Sequence, residues 1–383
     1  MGLLGDEGSR SRVADRTESP PSATQTTDSR DRTPPPTGHP RLLQSRGEPI
    51  TAPATPPRLS IIITNYNYEK YIEDSIISAI NLDWTNTEII VVDDGSSDHS
   101  REVIEKYSGK LQAIFQENRG QTEAYNTGFF KSTGDYVVFL DADDMVEPDF
   151  ATKCLARAAP GVSKIQCQMQ VVNESGQPTG RLFPRFDPAP TPEIIRRWHE
   201  HGFAVPSPPG SGNIYSRRFL ESIFPLDGSL GRAGDSYCIA AAHVFGNIET
   251  IKLPLVKYRI HDKNDSNIVS KRRGFATEIE RGQARVRYVN RLRSAHGVGP
   301  PDHAEQSLEA VQFRAASWMT ARQEHPLPDD SRLRMAWDAV TIGLSDPTAP
   351  AHVRLLLVLW VLAVLASPPN LARTLINRRY RRS

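Results

Sequence analysis

The chain has little that could stabilise a fold covalently. Its 383 residues include only three cysteines, Cys154, Cys167 and Cys238, and these show no CxxC spacing. This scarcity excludes a disulfide framework and gives no indication of a structural zinc site. A formal net charge of +1 also excludes a global attraction to nucleic acid or another polyanion. We therefore expect a reducing, cytoplasmic setting and no nucleic-acid partner.

Apolar runs of membrane-spanning length are lacking as well. "LLLVLWVLAVLA", residues 355–366, is uninterrupted and apolar, but a spanning helix needs about twenty such residues. A basic tail follows it, with Arg373, Arg378, Arg379, Arg381 and Arg382. The pattern allows either a helix packed in the core or a helix lying on an anionic membrane surface. We favour peripheral attachment of residues 354–383 at the cytoplasmic face of the membrane.

Residues 1–57 lack the apolar content of a core. They are rich in Pro, Ser, Thr, Arg and Asp, as in "RTPPPTGHPR", with few aromatic residues or apolar β-branched residues that could form a core. This composition predicts a disordered tail. The segment also has no apolar centre of a secretory signal, so we expect that the folded part is not exported.

The middle of the chain alternates between short apolar runs and helix-length segments. The runs are "LSIIIT", "EIIVVD", "LQAIFQ" and "DYVVFL". β-Branched runs separated in this way are typical of βαβ units with a mainly parallel sheet. The predicted fold class is α/β, in which ligands bind beyond the carboxyl ends of the strands.

Polar clusters follow three of these predicted strands. They are "TNYN" at residues 64–67, "DDGSSD" at 93–98 and "DADD" at 141–144. Because parallel strands present their carboxyl ends at one edge, we expect all three clusters to meet in one crevice. Residues 59–70 contain no glycine, which counts against a sugar-phosphate nucleotidyltransferase with a glycine-rich phosphate loop.

The acidic clusters permit cation and nucleoside binding. Asp141 and Asp143 are two residues apart and can hold a hard divalent ion through oxygen ligands. Asp144 is equally well explained as a loop residue. Turn formation and helix capping explain residues 95–98, whereas Asp94 at the strand end remains and can accept the N–H of a nucleobase. Tyr66 can supply an aromatic face for that base, although simple packing explains this tyrosine as well.

Four segments together resemble a known family. They are "LSIIITNYNYEKYIEDSIISAI", "EIIVVDDGSSD", "ENRGQTEAYNTGFFKSTGDYVVFLDADDMVEPD" and "AGDSYC", in order and at similar spacing. Over residues 59–261 the chain is similar to family-two glycosyltransferases, which have the GT-A fold and use nucleotide-diphosphate sugars. The resemblance implies a donor site that contains Mn²⁺ or Mg²⁺.

The resemblance also implies roles for individual residues. Those implied to bind the nucleotide are Thr64, Tyr66, Asp94, Arg119, Asn126 and Asp141, and Asn118 and Gly120 fall in the same segment as Arg119. Asp143 is the implied direct metal ligand, with Asp141 beside it, and His261 is a further candidate for the metal or the phosphate. Arg119 is also compatible with an ordinary surface position.

Asp235 in "AGDSYC" matches the position of the catalytic base in inverting members of the family. Many members have Glu-Asp here, whereas this chain has Gly234-Asp235 and lacks the auxiliary acid. Such a base removes the proton from the acceptor hydroxyl. The alternative is that Asp235 caps the helix that follows. Asn213 and Arg217 lie where acceptor-side loops occur in the family.

These observations predict the organisation of the whole chain. The tail at 1–57 precedes a GT-A-like domain at 58–270, divided into a nucleotide-binding half at 58–145 and an acceptor half at 146–270. A helical extension at 271–350 and the apolar, basic segment at 351–383 follow. Within the extension, the arginine-rich "RGQARVRYVNRLRSAHG" is interpreted as a solvated helix face, with a polyanion site as the alternative.

The predicted function is inverting, metal-assisted hexosyl transfer from a nucleotide-diphosphate sugar to a glycan or lipid-linked acceptor. Envelope or surface polysaccharide and glycolipid synthesis are the expected settings. The alternative is a catalytically silent module that binds a nucleotide or carbohydrate.

Overall fold

A computed structural model describes residues 56–203, 205–231, 233–262, 264, 274–299 and 307–380. These residues belong to one compact unit. The predicted tail lies outside the described residues except for its last two positions.

Residues 58–145, the predicted nucleotide-binding half, alternate strands and helices, as the sequence predicts. The elements are β1 (Leu59–Asn65), α1 (Ile72–Ile80), β2 (Thr87–Asp93), α2 (Ser100–Glu105), β3 (Gln112–Phe115), α3 (Gln121–Lys131) and β4 (Tyr136–Asp141). The four strands are parallel in the order β3-β2-β1-β4. Asn65 pairs with Asp93 and Thr64 with Asp141, so the strand ends share one edge.

The part of the chain predicted to be the acceptor half continues the same sheet with mixed pairing. It contains β5 (Met145–Val146), α4 (Phe150–Leu155), β6 (Val162–Val172), β7 (Pro178–Phe183), α5 (Pro192–Glu200), β8 (Asn213–Ser216), α6 (Arg217–Leu220), α7 (Gly234–Phe245) and β9 (Asn247–Arg259). The sheet continues from β4 through β8, β6 and β9 to β5, and β7 pairs with β6. Only β6 and β9 are parallel in this half.

Side chains of β1 alternate between two buried layers. Ile61 and Ile63 pack in the cluster that includes α1 and α2, whereas Ile62 packs in the cluster that includes α3 and α7. Both faces of the sheet are therefore covered by helices, as expected for a parallel α/β sheet. The predicted α/β, GT-A-like fold class is confirmed.

The C-terminal part is helical, as predicted. It contains α8 (Phe275–Ala295), α9 (Leu308–Thr320), α10 (Arg332–Ser345), α11 (Ala351–Ala366) and α12 (Pro369–Tyr380). Helices α9 to α12 have their own apolar core, and α8 contacts both α7 and α9. Val361, Val364 and Leu365 of the apolar terminal run are buried in this core. No helix among the described residues combines the length and the apolar character needed to cross a bilayer.

Candidate active site

A cleft of about 470 Å³ lies at the carboxyl ends of the parallel strands. It brings together most of the predicted site residues: Thr64, Tyr66, Asp94, Asp141, Asp143 and Asp235. The three polar clusters therefore meet at one edge of the sheet, because parallel strands end there together.

An acidic cluster of Asp141, Asp143 and Asp144 borders the cleft, which Asp141 and Asp143 line. Asp141 is the last residue of β4, and Asp143 and Asp144 lie in the turn that follows. One ligand oxygen from each of these carboxylates lies within 4.8 Å of the other two. Burial and, next, the charge of Asp143 raise the pKa of both Asp141 and Asp144 well above the usual range. The cluster therefore favours a bound cation.

The residues present fit a hard divalent ion. Asp141, Asp143 and Asp144 offer oxygen ligands alone, which suits Mn²⁺ or Mg²⁺ better than a softer metal. The space between the cluster and Asp94 belongs to the same cleft, so a diphosphate bound there can complete the coordination.

His261 contacts the acidic cluster through Asp143. Its Nε2 lies 2.9 Å from Asp143 Oδ2, and Asn264 Nδ2 donates to the same oxygen at 3.1 Å. The His261 ring also stacks on Tyr71 at 4.7 Å between centroids. The imidazole is thus placed to orient the Asp143 carboxylate.

Arg259 contacts the acidic cluster through hydrogen bonds. The sequence alone does not indicate it as a site residue. Its backbone N–H donates to Asp144 Oδ1 at 3.0 Å, and its Nε donates to the Asp143 carbonyl at 3.0 Å. The guanidinium also pairs with Asp74 at 2.6 Å. The only signal in the sequence is the position of Arg259 two residues before His261, because Asp144, Glu174 and Asp74, to which it donates, are more than eighty residues away.

The end of the cleft that is predicted to hold the nucleoside is formed by the loops after β1 and β2. Tyr66 is 46% exposed, so its ring is available to a base, and Thr64 lies beside it in the cleft. Asn67 Oδ1 accepts from the Ser97 N–H at 2.7 Å, which joins the two loops.

Asp94 is almost fully buried at the same end. Its Oδ1 accepts from Gln116 Nε2 at 2.7 Å and from the Arg119 N–H at 3.0 Å, and its Oδ2 accepts from the Gly120 N–H at 2.7 Å. The carboxylate thus fixes the loop that leads into α3.

Two residues predicted to bind the nucleotide do not line the cleft. The side chain of Arg119 is exposed and is not part of the cleft lining. Asn126 is buried in α3, where its amide exchanges hydrogen bonds with the backbone of Leu226 at 2.7 and 3.1 Å. The contacts give these residues roles in positioning the chain.

Both residues predicted on the acceptor side also have structural partners. Asn213 is fully buried, and its Nδ2 donates to the Pro209 carbonyl at 2.9 Å. Arg217 donates through Nη2 to Ser132 Oγ at 2.7 Å. Neither lines the cleft.

Asp235 is the second residue of α7 and faces the acidic cluster across the cleft. Its Oδ2 accepts from the Gly210 N–H at 3.3 Å. The helix is capped by Ala233 without a side-chain bond, so the capping interpretation of Asp235 is wrong. Burial raises the pKa of Asp235, although bonds from Gly210 and Ser236 and the charge of Arg285 oppose this shift. A raised pKa makes the carboxylate a better proton acceptor.

Tyr125 explains why Gly234 replaces the expected acid. A Cβ on Gly234 would lie 2.7 Å from the Tyr125 ring, closer than packed atoms approach. The ring is fully buried and stacks on Phe139 at 4.0 Å. Its hydroxyl has no hydrogen-bond partner among the described residues, and it lies next to Gly210 near Asp235.

Two further contributions to the cleft depend on tertiary structure. Gln121 of α3 donates to Asp141 Oδ1 at 3.1 Å and accepts from the Gly234 N–H at 3.4 Å, which links the cluster to α7. Arg281 and Arg285 of α8 also line the cleft. The arginine-rich stretch was interpreted as solvated, but its i, i+4 pair Arg281 and Arg285 places two positive charges at the site.

Solved structures with a similar fold include residues 1–349 of Staphylococcus aureus TarS in complex with UDP-GlcNAc. The match covers 85% of this chain and 89% of that chain, with 18% identity and a TM-score of 0.49. The mannosyltransferase PcManGT from Pyrobaculum calidifontis, in complex with GDP-Man and Mn²⁺, has 20% identity and a TM-score of 0.46 over 86% of this chain and 89% of its own.

Sequence relatives overlap the same region. Residues 60–224 match the family model described as glycosyl transferase family 2. An uncharacterized glycosyltransferase from Nostoc sp. is 32% identical over 239 residues, 61% of this chain and 73% of the relative. The putative glycosyltransferase EpsH of Bacillus subtilis is 30% identical over 54% of this chain and 61% of its own length. With this match to its relatives and with its α/β fold, the chain belongs to glycosyltransferase family 2.

Proposed function

We propose that the chain is an inverting, metal-dependent hexosyltransferase that uses a nucleotide-diphosphate sugar as donor. One observation carries the proposal: the acidic cluster at the end of β4 and Asp235 at the start of α7 lie in one cleft. The acidic cluster can hold a metal and a diphosphate, and Asp235 can accept a proton.

The donor is held by residues of the nucleotide-binding half. Tyr66 stacks on the base, and Thr64 lies at the nucleoside. Asp94 accepts an N–H of the base through a carboxylate lone pair that Gln116, Arg119 and Gly120 do not use. Asp143 and Asp141 are the proposed ligands of the ion, with His261 orienting Asp143. When bound there, Mn²⁺ or Mg²⁺ would stabilise the negative charge of the leaving diphosphate.

Asp235 acts on the acceptor. Its carboxylate takes the proton of the acceptor hydroxyl while the acceptor oxygen forms a bond to the anomeric carbon. The bond from that carbon to the diphosphate oxygen breaks, and the electron pair leaves with the nucleoside diphosphate. Because attack and departure occur on opposite faces of the sugar, the anomeric configuration inverts.

A surface or envelope glycan, or its lipid-linked precursor, is the proposed acceptor. A poly-beta-1,6-N-acetyl-D-glucosamine synthase of Staphylococcus aureus is 38% identical over 94 residues, 24% of this chain and 23% of the synthase. That short match supports polysaccharide synthesis as the setting and leaves the donor sugar open.

The test combines donor screening with two variants. The purified chain is incubated with Mn²⁺ and a panel of UDP, GDP and dTDP sugars, and hydrolysis and transfer are measured. Asp143→Ala should abolish donor binding and activity, whereas Asp235→Asn should keep nucleotide affinity and lower transfer about 10²- to 10⁴-fold, the usual contribution of a general base. Asp149→Asn, an acid outside the cleft, is the matched control.

The same experiment separates the alternative of a silent nucleotide- or carbohydrate-binding module. That alternative requires a donor that binds with no turnover, and no effect of Asp235→Asn on any reaction. Turnover that depends on both acids excludes it.

We further propose that the C-terminal helices attach the enzyme to the cytoplasmic face of a membrane. The outer face of α10 exposes Leu333, Trp337, Val340 and Leu344, which recur at helical spacing and are 85%, 70%, 36% and 79% exposed. Leu355, Leu356 and Leu359 of α11 are also exposed, and the arginines of α12 are close in sequence. Exposed leucines with a tryptophan and nearby arginines suit the interface of an anionic bilayer.

Co-sedimentation with vesicles tests the attachment. Phosphatidylglycerol-containing vesicles should bind the chain, and the triple change Leu333→Ser, Trp337→Ser and Leu344→Ser should release it. Phe130→Ser is the control, because Phe130 is 62% exposed but lies on α3. Equal vesicle binding by the triple variant and the control variant would remove this proposal. If α10 instead forms a dimer interface, the triple change would alter the sedimentation of the chain in the absence of lipid.

A further inference from the structure

A second cavity of about 300 Å³ adjoins the catalytic cleft along α7. Ser236 and Arg285 line both spaces, so the two meet beside Asp235. From Ser236 to His243 the cavity follows about two turns of α7, roughly 10 Å at 1.5 Å per residue. The cavity therefore begins at the proposed base and leads away from the acidic cluster.

The walls of this cavity are mostly apolar or basic, with Ser207, Ser236 and Asn290 as neutral polar residues. Phe203, Val205, Ile239, Ile248, Val286 and Val289 form the apolar part, and Lys164, His199, His243, Arg285 and Arg293 carry the titratable groups. The described residues that line it include no carboxylate. A cavity with this lining is electrostatically suited to an anion.

Lys164 is the central group of the cavity. It lies on β6, where alternate residues Lys164, Gln166 and Gln168 are polar and almost fully buried. Both glutamines donate to backbone carbonyls, at 3.3 Å to Pro206 and 3.1 Å to Pro184. Among the described residues, the Lys164 ammonium has one hydrogen bond, 2.8 Å to Ser207 Oγ, and no carboxylate pairs with it.

A buried ammonium without a counter-ion costs stability. Burial lowers the pKa of Lys164 to about 7, although the nearby Cys238 opposes this shift. His199 and His243 also line the cavity, and their rings stack at 3.7 Å between centroids. Burial lowers the pKa of His243 to about 4 and that of His199 well below its usual range. The buried Lys164 ammonium beside an active site is explained if a bound ligand supplies the missing negative charge.

We propose that this cavity is the acceptor subsite and that it takes an acceptor with an anionic group, a phosphate or a carboxylate, which pairs with Lys164 while the reacting hydroxyl lies at Asp235. The proposal rests on the function proposed above and adds a substrate class to it. Arg293, at the far end of α8, is the second cation that the anionic group meets.

Direct binding tests this proposal without turnover. Calorimetric titrations of the full chain use glucose 1-phosphate, glucuronate and neutral glucose as probes. Each anionic probe should bind at least about tenfold more tightly than glucose, because a charge-assisted bond to a buried cation is stronger than a neutral one. The phosphate and carboxylate arms show which anion the site prefers.

Variants locate the binding. Lys164→Met and, separately, Arg293→Gln should weaken the anionic probes about tenfold each, whereas the exposed pair member Lys252→Met should not. Thermal unfolding of each variant verifies that it is folded. Excess Mn²⁺ with UDP or GDP should leave probe binding intact, because the donor occupies the other space.

Three outcomes would overturn the proposal. They are equal affinity for glucose and the anionic probes, no effect of either cavity variant, and displacement of the probes by nucleotide with Mn²⁺. Failure of the proposed glycosyl transfer is seen separately, as a lack of turnover of every donor in the panel, with or without acceptor, while the anionic probes still bind.

Discussion

Replacing Lys164 with methionine should stabilise the protein, and the gain should depend on pH. The folded chain lowers the pKa of this ammonium from 10.5 to about 7. In the unfolded chain the group stays protonated up to its ordinary pKa, so the unfolded state binds more protons between these values. Stability therefore rises with pH across this window, and the full cost of burial applies below pH 7.

The magnitude follows from the shift of the pKa. A difference of about 3.5 units corresponds to about 5 kcal/mol at 1.36 kcal/mol per unit. The lost bond to Ser207 subtracts about 1 kcal/mol, and Ser207 keeps its bond to the Pro208 carbonyl. We expect a gain of about 4 kcal/mol near pH 6 that falls to about 1 kcal/mol near pH 9, where most of the cost has disappeared.

Urea titrations followed by tryptophan fluorescence measure this difference. The wild type, Lys164→Met and the exposed control Lys252→Met are compared at both pH values, with no probe present. A variant that is less stable than the wild type near pH 6, or a gain that is the same at both pH values, would refute the reasoning. The control should change stability by no more than a surface substitution does, about 0.5 kcal/mol.

Three other changes test the geometry of the catalytic cleft. Gly234→Ala should destabilise the chain by about 1–3 kcal/mol because its Cβ overlaps the Tyr125 ring, and the added change Tyr125→Leu should recover part of the loss in thermal unfolding. His261→Ala should weaken Mn²⁺ binding about 10- to 100-fold because Asp143 loses its orienting partner, with His261→Gln intermediate; equal affinity in calorimetry would contradict this role. Arg259→Met should cost about 2–4 kcal/mol in denaturant unfolding because carbonyls of Asp143 and Glu174 lose their donor, whereas Arg101→Met on the surface should not.

The first half of the fold is predictable from the sequence because its strands are buried on both faces. Such strands are short β-branched runs, and their order in the chain dictates a parallel sheet. The second half is less regular. Strand β6 alternates buried apolar residues with Lys164, Gln166 and Gln168, a pattern that normally indicates one solvated face. Here the polar face is covered by other parts of the chain, which local sequence does not reveal.

The candidate site shows the same division. Asp94, Asp141 and Asp143 were identified because they follow strands directly. Gln121 and Arg259 were missed as parts of the cluster because their partners are distant in sequence. The family motif alone suggests nucleotide roles for Arg119 and Asn126. In the structure the Arg119 backbone bonds Asp94, and the Asn126 amide bonds the backbone of Leu226. Motif position identifies the neighbourhood of a residue, and packing decides where its side chain points.

The close contact between Gly234 and Tyr125 has an evolutionary consequence. No side chain fits at position 234 while the buried ring occupies position 125 and α7 begins where it does. A relative with Glu at position 234 must therefore have a residue smaller than Tyr at position 125, or an α7 that begins farther from α3. The two positions should covary among relatives, with a bulky residue at position 125 paired with glycine at position 234.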